Sequence, residues 1–459
     1  MNQSFDAIII GAGQAGPPLA GRLTGAGMKV ALIERHLIGG TCVNTGCMPT
    51  KALVASAYAA HMARRAADFG VVLPGAVGID MKRVHARAHQ VTMNARTGLT
   101  AWMEAMAGLT LFRGHARFES PTAVRVGEAL LSAPRIFVDV GGRALVPDLP
   151  GLADIDYLTN TSMLELDAVP RHLVVVGGSY IGLEFAQAFR RFGAEVTVLE
   201  KGPRLVARED EDISAEIARF LAAEGIAVRT GVDVLSFAKE GDDIRIEAKG
   251  DGGAPEIRAS HVLVAIGRVP NTGDLGLDAA GIARDERGYI RVDDTLRTNV
   301  SGIWAMGDCN GRGAFTHTAY NDFEIIAANL LDGADRRLSA RIPAYALYTD
   351  PPLGRVGMSE AQARATGRPL LVSSRPMARV GRAVEKGETI GFMKMVADAQ
   401  TKRILGAAIL GTSGDEAIHG ILDMMHADQP YDVLQWAVPI HPTVSELIPT
   451  LIGDLKPAR

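Results

Sequence analysis

The chain has 459 residues with 47% hydrophobic and 22% charged content and a formal net charge of -4. That length exceeds one core, so about two to four domains are expected. The charge gives no basic footprint for nucleic acid, no apolar run reaches membrane-spanning length, and three cysteines argue against a secreted disulfide scaffold and for a reducing cytoplasm.

A strand is expected almost at once from the start of the sequence, and no signal peptide is expected. Ala7 to Ile10 is a continuous apolar run, the pattern of a parallel strand buried on both faces. Gly11-Ala12-Gly13-Gln14-Ala15-Gly16 follows, then apolar residues at helical spacing, then the strand Lys29 to Ile33 ending in Glu34. This is a βαβ unit with a dinucleotide fingerprint. Gly11, Gly13 and Gly16 let backbone approach a pyrophosphate at a helix N-terminus. Glu34 stands where an acid accepts from a ribose hydroxyl.

The next stretch, Gly39 to Lys51, carries two of the three cysteines, Cys42 and Cys47. In an ideal helix five residues span roughly 7.5 Å, whereas a disulfide needs Cα atoms within about 7 Å. A pair here requires a distorted turn, and Gly46 and Pro49 suit one. Two buried free cysteines are the plain alternative.

Residues 52–105 read as mainly helical, and strand-like segments follow over 110–118, 122–126 and 135–140. A turn-rich stretch around Pro147 to Gly151 looks like a domain crossing. The fingerprint then recurs. His172 to Val176 is a strand, Gly177-Gly178-Ser179-Tyr180-Ile181-Gly182 the turn, and Glu195 to Glu200 the next strand with its acid. Ser179 occupies the middle glycine position. Glu200 disfavours a phosphorylated ribose. His261 to Ile266 runs into Gly267-Arg268, and Ser301 to Met306 into Gly307-Asp308. Near Ala340 the pattern changes to short strands and helices, closing on His441-Pro442-Thr443 and Glu446.

These motifs, in this order and over nearly the whole chain, resemble the flavoprotein pyridine-nucleotide disulfide reductases. That group includes dihydrolipoamide dehydrogenase, glutathione reductase and mercuric reductase. The Met48-Pro49-Thr50-Lys51 and Pro351 to Met358 segments are most similar to mercuric-reductase-like proteins, including bacterial reductases that defend against reactive chlorine species. The resemblance implies an α/β fold with two Rossmann-like dinucleotide-binding domains and a C-terminal α+β dimerisation domain. The expected division is 1–145 for the first part of an FAD domain, 146–270 for an NAD(P) domain, 271–340 for the second part of the FAD domain and 341–459 for the interface domain.

The resemblance also implies roles. Gly11, Gly13, Gly16, Glu34, Arg35, Gly40, Thr41, Gly307 and Asp308 would hold FAD. Gly177, Gly178, Tyr180, Ile181, Gly182, Glu200, Gly267 and Arg268 complete the cofactor sites, with NADH favoured over NADPH and Tyr180 covering the nicotinamide pocket. Lys51 and Glu184 would pair beside the flavin. Cys47 would be the flavin-contacting thiolate and Cys42 the thiol that attacks substrate. His441, oriented by Glu446 and supplied by a second subunit, would move the proton in an obligate homodimer. Cys309 is expected to be a small buried residue, His317 to lie near the flavin ring, and no resident metal is expected. The implied activity is reduction of a small disulfide, thiol-reactive oxidant or metal ion. Because 447–459 hold no cysteine, mercuric ion is not expected as the main substrate. Dihydrolipoamide dehydrogenase is the alternative, and a thiol-independent NADH oxidase, transhydrogenase or diaphorase is the alternative of another class.

Overall fold

Two parallel sheets organise the computed structural model, which describes residues 2–250 and 256–458. The first runs Ile303–Ala305, Ile136–Val138, Ala7–Ile10, Val30–Glu34, Leu109–Arg113 in spatial order, all parallel. Every residue of the central strand is buried, as its uninterrupted apolar run requires. The second sheet repeats the scheme with Ala227–Thr230, Glu195–Glu200, His172–Val176 and His261–Val264. In each sheet the first fingerprint strand lies inside, and its glycine turn leads into a helix, Gly16–Gly25 or Tyr180–Phe192. Open α/β sheets bind ligands beyond the carboxyl ends of such strands.

The two turns share their backbone geometry. Gly11 and Gly177 have φ of 112° and 114°. A Cβ there would stand 2.1 Å from the Asp139 carbonyl oxygen or 2.4 Å from that of Ala265. Gly16 and Gly182 each face the carbonyl of the first glycine in their own turn, 2.3 Å from where a Cβ would sit. Only glycine allows this closeness.

The C-terminal part is built on a six-stranded sheet in the order Ala344–Leu347, Leu353–Gly357, Ile404–Leu410, Phe392–Asp398, Leu370–Pro376, Lys456–Pro457. Its pairings are antiparallel. Three smaller sheets accompany them among the described residues: the antiparallel meander Asp233–Glu240, Asp243–Lys249, Glu256–Ala259, the antiparallel pair Gly142–Ala144 and Arg268–Pro270, and a mixed sheet in the order Asn2–Ser4, Ala129–Ser132, Ala123–Val126, Ala116–Ser120. Among the described residues no helix is long and apolar enough to cross a membrane.

Candidate active site

The predicted distortion lies between the two cysteines. The helix Gly40–Thr45 breaks at Gly46, with φ -141° and ψ -119°, and Cys47 opens the helix Cys47–Arg64. A Cβ on Gly46 would come 2.9 Å from the Thr41 carbonyl oxygen, so a side chain would force the two turns apart. Both cysteines are free thiols here, and they hydrogen-bond each other. Donation from Cys42 is the main force lowering Cys47, helped by the Thr316 hydroxyl 3.2 Å from its sulfur and by the Lys51 charge; together they outweigh burial and bring Cys47 down to about 6. The same hydrogen bond, then burial and the Cys47 charge, push Cys42 well above the ordinary thiol range. The pair is polarised into one ready thiolate and one held thiol.

One helical turn beyond Cys47, Lys51 Nζ meets Glu184 Oε2 at 2.7 Å. The other oxygen of Glu184 accepts from the Tyr348 amide at 3.0 Å, and Lys51 Nζ stands 4.5 Å over the Tyr348 ring. Glu184 is 6% exposed at its side chain, so its charge is held by a lysine from one helix and a backbone amide from another segment.

These groups share one cavity of about 1180 Å³ with the first fingerprint. Gly11, Gly13, Glu34, Arg35, Gly40 and Thr41 line it, as do Cys42, Cys47, Lys51 and Glu184. Gly307 and Asp308 line it too. The cavity thus brings most of the residues expected to hold FAD beside Cys42, Cys47, Lys51 and Glu184, whereas Gly16, Gly177, Gly178, Gly182, Glu200, Gly267, His441 and Glu446 do not line it. At Gly141, φ 62°, a Cβ would enter open space with nothing within 4 Å. That backbone leaves room for a ligand. Burial raises Asp308 above the usual carboxylate range despite Arg268, whose guanidinium is 3.4 Å away. Arg268 and Tyr180 also line this cavity, so residues around the second turn reach the first site.

The fingerprint acids turn toward their own loops. Glu34 accepts from the Ala12 and His36 amides at 2.9 and 2.7 Å. Glu200 accepts from the Gly178 and Gly202 amides, both at 2.6 Å. Arg35 reaches Asp274 at 2.9 Å. Gly267, φ 139°, joins its strand to Arg268 with open space beside it.

His441 stands apart. Its Nδ1 donates to Glu446 Oε2 at 2.8 Å, Nε2 has no partner among the described residues, and its side chain is 79% exposed. It does not line the thiol cavity of its own chain. Around it Trp436, Val438 and Ile440 are 79%, 97% and 80% exposed.

Cys309 is fully buried, its sulfur 3.3 Å from the Met306 carbonyl oxygen, and burial raises its thiol. His317 lines the cavity, stacks on Phe315 at 5.3 Å and is held through Nε2 by the Ala344 carbonyl at 2.7 Å. Burial lowers it below the usual histidine range. Several contributors escaped sequence reasoning. Thr316 and Tyr348 touch the thiol and the lysine. Asp139 closes the first strand scheme, accepting from the Gly16 amide at 2.8 Å while buried. Its signal is an acid directly after an apolar run and before Gly141-Gly142. No local signal marks Thr316 or Tyr348, since their partners lie far off in the chain.

Two family models match the chain. Residues 5–322 fit "Pyridine nucleotide-disulphide oxidoreductase", and residues 343–452 fit its dimerisation domain. The chain is 34% identical to the probable pyridine nucleotide-disulfide oxidoreductase RclA of Escherichia coli (strain K12), covering 98% of this chain and 99% of the relative. It is 33% identical to the mercuric reductase of Bacillus cereus, covering 91% of this chain but 66% of that longer protein. It is 33% identical to the dihydrolipoyl dehydrogenase of Chlamydia muridarum, covering 97% and 96%. The solved Cu(II) complex of the HOCl-induced flavoprotein disulfide reductase RclA superposes with a TM-score of 0.90 at 33% identity, covering 99% of both chains. Motifs, fold and relatives agree, and the chain belongs to the pyridine nucleotide-disulphide oxidoreductase family as a flavoprotein disulfide oxidoreductase.

Proposed function

We propose that this enzyme carries reducing equivalents from NADH through FAD to Cys42 and Cys47, and from them to a small thiol-reactive oxidant or disulfide in the cytoplasm. One observation carries the reading: two polarised thiols, the Thr316 hydroxyl and the Lys51–Glu184 pair share a cavity with the first glycine turn. FAD, when bound, accepts a hydride and returns the electron pair to a disulfide. The other steps belong to side chains. Lys51 lines the same cavity and would supply a cation to stabilise negative charge on a reduced flavin. Glu184 fixes that cation.

Cys42 is the thiol that meets substrate. Because it is held protonated, it needs a base. His441 is suited to take that proton, with Glu446 fixing its tautomer. The Cys42 thiolate attacks one sulfur of a disulfide substrate, forming a mixed disulfide and releasing a thiolate that is protonated by His441. Cys47, already a thiolate, then attacks Cys42. The second substrate sulfur leaves as a thiolate, which takes its proton from solvent, and the Cys42–Cys47 disulfide is restored, ready for the next electron pair.

His441 is read as serving the cavity of a second copy. The exposed apolar residues beside it and the matched dimerisation domain support a homodimer with shared sites. The division at 145, 270 and 340 is retained as our reading of the domains. Preference for NADH is supported by Glu200 and by its cationic neighbours, which are engaged elsewhere. Lys201 pairs with Asp233 at 3.0 Å, and Arg204 donates to the Ala207 and Glu209 carbonyls.

The similarity to RclA and to mercuric reductases favours a thiol-reactive acceptor. The test is turnover of FAD-loaded protein with NADH against lipoamide, glutathione disulfide, hypothiocyanous acid, Cu(II) and Hg(II). The reading expects a thiol-reactive acceptor to be turned over by the wild type and not by Cys42→Ser. Turnover of lipoamide alone would make the enzyme a dihydrolipoamide dehydrogenase.

A further inference from the structure

Tyr180, the first residue of the helix Tyr180–Phe192, is held by a buried assembly that its proposed covering role does not explain. Tyr345 and Arg355 are cross-strand partners in the antiparallel pair Ala344–Leu347 and Leu353–Gly357. Directly opposed residues project from the same face of a sheet, and both point at Glu209. Arg355 and Glu209 are each 2% exposed. Arg355 gives Glu209 Oε2 two hydrogen bonds, the Nε one at 3.0 Å. The other oxygen, Oε1, accepts from Tyr345 at 2.8 Å and lies 3.4 Å from the Tyr180 hydroxyl. The Tyr180 ring meets Tyr345 edge-on at 5.6 Å and Phe315 at 6.3 Å.

The acid segment is itself fixed to the C-terminal sheet. Asp210 accepts from the Glu360 and Ala361 amides at 2.9 and 3.1 Å, and Lys394 bridges Asp212 and Glu360 at 2.8 Å each. Glu209 is therefore a rigid anchor. A fully buried ion pair adds little stability over apolar packing of the same volume. What this one does supply is an acceptor oxygen at a fixed point beside the Tyr180 hydroxyl.

We propose that Tyr345, Glu209 and Arg355 are positioning residues, a latch that holds Tyr180 closed over the nicotinamide pocket and sets how readily NADH displaces it. The proposal rests on the reading of Tyr180 as the cover of that pocket. A ligand that needs a minor open state binds with an affinity reduced by the open fraction. Weakening the latch by one hydrogen bond raises that fraction. Tyr345→Phe removes the hydroxyl that accepts from the Tyr180 hydroxyl and donates to Glu209, and it keeps the ring that packs on Tyr180 and Phe315.

The experiment compares wild type, Tyr345→Phe, Tyr180→Ala and the double variant, each FAD-loaded. It follows NADH-dependent flavin reduction by stopped flow, steady-state KM and kcat, and the thermal midpoint. Tyr345→Phe is expected to lower the KM for NADH about three- to tenfold, with kcat held within about twofold and the thermal midpoint close to wild type. The double variant should match Tyr180→Ala, because the latch has nothing left to hold. If Tyr180→Ala lowers the KM and Tyr345→Phe does not, the latch is wrong and the cover stands. If Tyr180→Ala changes neither the KM nor the reduction rate, the cover reading fails and the latch with it. A Tyr345→Phe protein with a lowered midpoint and unchanged KM would assign Tyr345 to packing alone and overturn the proposal.

Discussion

Lys51 Nζ lies 2.7 Å from Glu184 Oε2, and this pair joins the helix that carries Cys47 to the helix that follows the second glycine turn. One interaction thus ties the thiol site to the nucleotide unit. Lys51→Met should leave the buried Glu184 with only the Tyr348 amide. Lys51 is a third exposed, so the pair is worth less than a fully buried one. A loss of about 1–3 kcal/mol is expected, read from urea unfolding of the FAD-loaded protein. Lys51→Met, Glu184→Gln should recover much of it, because the stranded charge is gone. No recovery would show that the lysine acts through packing.

The thiols should differ in their response to pH. Cys47 is depressed to about 6, so its thiolate is present above that pH and lost as pH falls through it. Cys42 is raised and stays a thiol across the neutral range. In reduced protein, iodoacetamide labelling of each cysteine, read by mass spectrometry, should inflect near about 6 for Cys47. Cys42 labelling should climb only in alkali. An ordinary thiol titrates near about 8.5, and a Cys47 inflection there would remove the polarised pair.

The parts of this site that were legible in the sequence are local. Ala7 to Glu34 and His172 to Glu200 each hold strand, glycine turn, helix and acid within one short stretch, and backbone sterics at Gly11 and Gly177 enforce that pattern. The break at Gly46 was legible for the same reason. Thr316, by contrast, lies 269 residues from the Cys47 it touches, and Tyr345 136 from Glu209. No period or spacing encodes such contacts; they exist only once the sheets have packed. The meander over Asp233 to Ala259 was missed because each of its strands begins on an acid and holds only short apolar alternation after it. Asp139 was missed because an acid at a strand end usually reads as solvated, yet it is buried and accepts from the Gly16 amide.

The nucleotide preference should follow Glu200. Its carboxylate is fixed by the Gly178 and Gly202 amides at 2.6 Å each, so it cannot swing away from a 2′-phosphate. The kcat/KM for NADH should exceed that for NADPH by more than about tenfold, roughly 1.4 kcal/mol. Glu200→Ala should narrow the ratio by weakening discrimination against NADPH. A wild-type preference for NADPH would overturn this reading of Glu200.

The thiols can be separated from hydride transfer. Cys42→Ser should abolish turnover of a disulfide or thiol-reactive oxidant and leave NADH-dependent quinone reduction near the wild-type rate. A thiol-independent oxidase would keep both activities, and that result would end the thiol mechanism.

The last prediction concerns where His441 acts. Its Nε2 has no partner among the described residues while Nδ1 is held by Glu446 at 2.8 Å, and it lies outside the thiol cavity of its own chain. His441→Gln should lower disulfide turnover on the order of 10²–10⁴-fold, with NADH-dependent flavin reduction intact. Cys42→Ser should be equally inactive with a disulfide. In a two-fold dimer with shared sites, coexpression of the two variants at equal levels gives half heterodimers. Each heterodimer has one site with an intact Cys42 from one chain and an intact His441 from the other, so about a quarter of wild-type turnover should return. The double variant, with both changes in one chain, cannot build such a site and should stay at the floor. Restoration in the mixture alone assigns His441 to the second copy, whereas a mixture that stays inactive would keep each site within one chain and overturn the shared-site reading.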